Sequence, residues 1–242
     1  MKKKIVVFAI VACLAVMAIA GASLAYFTDT DDATNVFTSG KVDITLNEVF
    51  DEETAQLIPG VDIEKDVTVS LSEDSVESYV WYTYAIPSAL DNEDASKNII
   101  HVNHAGRNWL AYRENSKYWA EGQTEATPAD QCWIVDYEVE KNVTIDGVEY
   151  NVYTVLYNGT LEAGEETTVG MTKVYCDTKV DFDNATGKYT LYGEDIGFDL
   201  NNVKIIVTAY AIQAATFENV EDAYNAYNAQ MAEIPENAVD ID

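Results

Sequence analysis

Histidine is almost missing from this chain, and both copies, His101 and His104, fall in one His-Val-Asn-His run. That run is not His-Glu-x-x-His, because the glutamate that serves a zinc protease as general base is absent. No Gly-x-Ser-x-Gly elbow occurs, and Cys176 has no histidine near it in sequence, so nucleophilic catalysis has no signature either. Cysteine is scarce as well: three in 242 residues cannot form a disulfide scaffold. Positive charge is the largest deficit, with 14 Lys and Arg against 42 Asp and Glu and a formal net charge of −28. Such a chain avoids nucleic acid and anionic membrane surfaces, and repels its own copies at low ionic strength. No catalytic residue, metal site or cofactor is assigned, and the chain is read as a non-enzyme.

What is present begins with a leader. Lys2, Lys3 and Lys4 precede an apolar stretch from Ile5 to Ala20, and Ser23-Leu24-Ala25 places small residues where a signal peptidase reads. Cleavage between Ala25 and Tyr26 makes residues 1–25 a signal peptide and the product secreted, extracellular or at the cell surface. The rivals are a transmembrane anchor, since the stretch nears the ~17 residues of the shortest spans, and lipoprotein processing at Cys13. Against the anchor, Gly21-Ala22-Ser23 follows at once without a basic stop-transfer cluster. Cleavage removes three of the 14 basic residues and no acid, so the mature charge falls from −28 to about −31.

Acidity alone could mean disorder, but here aromatic and β-branched residues are abundant and patterned. Val42, Ile44 and Leu46 alternate with polar residues, as do Val67, Val69 and Leu71, the mark of half-buried antiparallel strands. Tyr79 to Ile86 is apolar on both faces and reads as a central strand. Asp146-Gly147 predicts a two-residue hairpin turn with arms reaching back to Trp133 and forward to Tyr157. Further strands are expected over Thr167–Tyr175, Tyr189–Tyr192 and Val203–Ala214. The fold class is all-β, a jelly-roll sandwich over 41–217. It carries a polar insertion at 88–130 with a short helical piece from Asn108 to Glu114. Residues 26–40 form an N-terminal arm. Residues 218–242 form an amphipathic helix, N-capped by Asn219 and striped by Val220, Ala223, Tyr224, Tyr227 and Met231, and an acidic tail.

Three residue groups invite a role. The insertion interleaves Arg107, Arg113 and Lys117 with Trp109, Tyr112 and Trp119, a basic-aromatic patch for an acidic partner; the alternative is packing of the aromatics onto the sandwich. Cys132 and Cys176 each adjoin a strand-like run, and either bridge or remain two buried thiols. Asp29-Thr30-Asp31-Asp32 and Asp181-Phe182-Asp183-Asn184 carry oxygen ligands for calcium, with a solvated acidic turn as the leading alternative.

Ala25-Tyr26-Phe27-Thr28-Asp29, followed by Asn35-Val36-Phe37-Thr38-Ser39-Gly40-Lys41-Val42-Asp43-Ile44, resembles the TasA/camelysin family of secreted biofilm-matrix proteins. Ile58-Pro59-Gly60, Lys65 to Val69, Tyr79-Val80 and the late run Val207 to Ala214 extend the resemblance. It implies processing by a SipW-type signal peptidase and a bacterial jelly-roll subunit that polymerises into matrix fibres. In that family the arm of one subunit completes the sheet of the next, by donor-strand complementation. Tyr26 and Phe27 at one end of the arm and Val36 and Phe37 at the other are the apolar grips, flanking an acidic span. The partners so implied are further copies of the chain, the signal peptidase, and an anchoring or accessory matrix protein. Two other readings stand beside this one: a non-polymerising surface binding module or fibre accessory, and a camelysin-like surface metalloprotease.

Overall fold

The computed structural model describes residues 28–30, 41–50, 56–106, 108–113, 116–119 and 127–233. Its strands run in chain order. They begin with β1 (Thr28–Thr30), β2 (Ile44–Val49), β3 (Asp62–Glu64), β4 (Asp66–Leu71) and β5 (Ser78–Pro87). Next come β6 (Ile100–His104), β7 (Trp109–Arg113), β8 (Ser116–Tyr118), β9 (Trp133–Ile145) and β10 (Val148–Leu161). The last are β11 (Met171–Cys176), β12 (Val180–Asp183), β13 (Lys188–Leu191), β14 (Glu194–Asp195) and β15 (Ile206–Gln213), followed by one helix, α1 (Val220–Glu233). The architecture is an all-β sandwich with a helix near the C-terminus, as the alternation predicts.

A seven-stranded sheet, ordered β1-β15-β5-β10-β9-β7-β8, forms one layer. The other layer holds β3-β11-β6 and β2-β4, which are joined where β4 passes the segment before β11: Thr167 and Gly170 donate their amides to Val69 and Val67. A small sheet, β12-β13-β14, follows β11.

β5 shows why its sequence is apolar on both faces. Val80, Tyr82, Tyr84 and Ile86 point into the inner core, where Val67, Val69, Trp133 and Met171 meet them. Tyr79 and Trp81 point outward, where α1 covers them with Val220, Tyr224 and Tyr227. The Trp81 ring meets Tyr227 edge-on at 5.0 Å and Tyr224 at 5.6 Å, an arrangement that aromatic quadrupoles favour. Asn219 caps α1, its Oδ1 accepting the Asp222 amide at 2.9 Å, and Glu221 and Asp222 occupy the electropositive first turn. The expected stripe is buried through Tyr227; Met231 lies beyond the covered zone and is 43% exposed.

The Asp-Gly hairpin forms as expected, with φ of 49° at Asp146 and 81° at Gly147. Its outgoing arm runs past Tyr157 to Leu161. Two expectations for 88–130 are corrected. Trp109–Arg113 is a strand, not a helical piece, because Trp109, Leu110 and Ala111 pair in parallel with Trp133, Ile134 and Val135. Ile100–His104 is likewise a strand, paired along β11. This segment thus supplies β6 to one layer of the sandwich and β7 and β8 to the other.

Candidate functional site at the open sheet edge

The seven-stranded sheet ends differently on its two sides. Along β9 the backbone is irregular: Asp136 and Asn142 take φ of 54° and 58°, and the β9–β10 register slips twice. Glu138, Glu140 and Lys141 add charge to the same stretch. Bulges and charges of this kind discourage pairing with a foreign strand. β15 has neither. It pairs with β5 at all eight residues from Ile206 to Gln213 without a slip, and no residue in it is charged. On its other side, among the described residues, β1 covers three positions, pairing Thr28, Asp29 and Thr30 with Ile212, Ala211 and Tyr210. The ladder face of Ile206–Ala209 carries no named strand among the described residues.

At the lower end of β15 the two layers part around a groove of about 500 Å³. Leu57, Ile63, Val174, Val203 and Ile205 line it. Lys65, at its floor, is only 5% exposed, and its charge is met by Glu48 Oε1 at 2.8 Å and by the Phe50 ring at 4.5 Å. The groove therefore presents an apolar interior. Lys204 stands exposed at its rim.

The arm residues Tyr26, Phe27, Val36 and Phe37, and the cleavage residues Ser23 and Ala25, lie outside the described residues, as does Arg107. The rest of the basic-aromatic patch is divided between the two faces of the sheet. Trp109 packs against the inner core, while Tyr112 packs outward on Tyr137 at 4.7 Å. Lys117 reaches Glu221 of α1 at 2.9 Å and Asn158 Oδ1 at 2.8 Å, beside a cleft lined by Asp130, Glu165, Glu166 and Glu218. Arg113 is exposed and Trp119 half-buried.

Cys132 and Cys176 are both buried, and the structure holds them as two thiols without a bridge. The Cys132 Sγ lies 3.4 Å from the Pro128 carbonyl, and burial pushes the Cys176 thiol up to about 11, where it is unreactive. Of the acidic turns, Asp183 accepts the Ala185 amide and the Thr186 hydroxyl at 2.8 and 2.7 Å, bonds internal to its own turn. Those bonds, the hydroxyl's above all, hold its carboxyl below the usual range. Asp31 and Asp32 are outside the described residues.

Residues 1–101 match the camelysin metallo-endopeptidase family. Over that stretch the match bears out the resemblance to the TasA/camelysin family, and the late run Val207–Ala214 lies beyond it. No curated protein and no solved structure matches the chain. The family's description implies a metal, but the two histidines do not fit one. His101 and His104 are three positions apart on a strand and so face opposite ways. His101 Nε2 bonds Asp177 at 3.0 Å and its ring stacks on Tyr175, while His104 is packed against Tyr84 and Trp109. Its Nδ1 is buried without a hydrogen-bond partner, and burial pushes the imidazole down to about 4. Among the described residues no three His, Cys, Asp or Glu side chains converge.

The edge geometry was beyond the reach of sequence reasoning. What the sequence did carry was a negative signal, the absence of any charge from Ile206 to Gln213.

Proposed function

We propose that the chain is a secreted structural subunit that polymerises into extracellular fibres, the N-terminal arm of one copy adding a strand to the next. The observation that carries this reading is the β15 edge, straight, uncharged and, among the described residues, covered at three of its eight positions. An edge of that kind is a ready template for another chain, and natural proteins that do not use such an edge obstruct it. β-Strand addition of this type takes affinity from main-chain hydrogen bonds and specificity from side-chain pockets. A head-to-tail contact generates filaments wherever its rotation does not close into a ring. The matched family supports a common architecture for the first 101 residues.

The test is electron microscopy and light scattering of the secreted protein beside a form that starts at Gly40. The secreted form should make filaments and the shortened one should remain monomeric. Filaments from the shortened form would overturn arm exchange. A purified secreted protein that never assembles would favour the accessory reading.

A further inference from the structure

We infer that the groove below β15 is the seat for Phe37 of a second copy, a surface that the molecule's own arm cannot fill in this register. The inference rests on the arm-exchange reading and adds where the arm ends and why the exchange must be between molecules.

The register decides the position. β1 and β15 run antiparallel, with Thr28 opposite Ile212 and Thr30 opposite Tyr210. Continued without a slip, the same register sets Thr34 opposite Ile206, Val36 opposite Lys204 and Phe37 opposite Val203. Val203, Lys204, Ile205 and Ile206 are consecutive lining residues of the groove, and Val203 has extended dihedrals suited to carrying a ladder further. Directly opposed residues share a face, so Phe37 turns inward with Val203, where the two layers part around Ile63 and Val174, and Val36 turns outward with the exposed Lys204.

Chain length decides whose arm it is. Lys41 is fixed at the opposite end of β15: its carbonyl accepts the Val76 amide, and Ser78, two residues on, pairs with Gln213. From the level of Val203 to that of Gln213 the strand rises about 33 Å. The four steps from Phe37 to Lys41 span at most about 14 Å. In one molecule, residue 37 therefore cannot reach the groove in this register. An arm from a second copy is not tied to Lys41 of the receiving chain, and can lie straight from Thr28 to Phe37.

The experiment uses the secreted protein carrying Val36→Cys and Lys204→Cys together, residues the register sets opposite one another. Directly opposed positions on antiparallel strands lie within disulfide range, and the native Cys132 and Cys176 are fully buried and do not compete. On oxidation, a non-reducing gel should show a ladder of covalent multimers. A bridge within single molecules would overturn the inference, because the tether forbids it. Absence of a ladder while the parent protein still forms arm-dependent filaments would overturn the seat and leave arm exchange standing. If the parent forms no filaments, arm exchange itself fails. As a second measurement, Phe37→Ala should raise the critical concentration for assembly at least ~10-fold and leave the melting temperature of the monomer unchanged. An unchanged critical concentration would count against the groove.

Discussion

The two ends of the seven-stranded sheet are built for different tasks. At the β7 end, Trp133 is fully buried, meets Tyr82 and Tyr157 edge-on at 4.8 and 5.1 Å, and donates its indole N–H to the Thr168 carbonyl at 2.8 Å. His104 and Trp109 close the sandwich beside it. At the β15 end, the inward residues Ala209 and Ala211 are small, the ladder is regular, and cover among the described residues is short. Large interlocking aromatics stabilise one end. Small residues and an unobstructed backbone leave the other able to receive a strand. If copies associate as proposed, stability and association are separable along one sheet, and each can be perturbed without the other.

The largest effect should come from the closed end. Trp133→Ala removes a buried aromatic and strands the Thr168 carbonyl, and should lower stability by ~3–5 kcal/mol in urea unfolding. Filament growth, measured where the variant remains folded, should match the parent. A loss under ~1 kcal/mol would show that the closed end is not where the stability resides.

Acid provides the next test. His104 has its pKa held below the free value of 6.5, at about 4, because burial disfavours the charged ring. The unfolded chain therefore takes up a proton that the folded chain refuses, and stability falls as pH drops from about 6.5 to about 4. The full shift corresponds to ~3 kcal/mol. His104→Phe should flatten that part of the stability–pH curve and cost little at pH 7, since it also removes the unpartnered Nδ1. An unchanged acid slope in the variant would contradict the burial argument.

The smallest effect, and the one aimed at the open end, is Thr208→Lys. A lysine on β15 supplies the kind of obstruction that β9 has and β15 lacks. It should slow filament growth about 10-fold, equivalent to ~1.4 kcal/mol, and change monomer stability by less than ~0.5 kcal/mol. Equal growth rates would mean that the exchanged strand does not lie along β15.

How far the sequence could be read follows the same division. Period-two alternation revealed β2, β4 and β5, and the Asp-Gly turn revealed the β9–β10 hairpin, because each depends on residues close in the chain. Trp109–Arg113 is locally helix-like: Leu, Ala and Arg are good helix formers, and only pairing with Trp133–Val135, over twenty residues later, makes a strand of them. Ile100–His104 has little local strand signal, since His101, Asn103 and His104 leave two apolar residues in five, and its pairing with β11 is what shapes it. The slips at Asp136 and Asn142 have no local signature, since both residues serve equally well in ordinary turns. The open edge was illegible for a related reason: whether a strand lies at a sheet margin depends on what the rest of the chain leaves unpaired.

The three-residue contact of β1 with β15 has a kinetic meaning. A segment tethered ten residues from the body of its own molecule competes for a neighbouring site at an effective concentration in the mM range. In a chain that assembles by exchange, each monomer would thus inhibit itself, and an incoming arm at far lower concentration would win only through contacts that the tethered one cannot make. Nucleation would then be slow and growth comparatively fast, giving the lag phase of a polymer that does not form until enough subunits have accumulated.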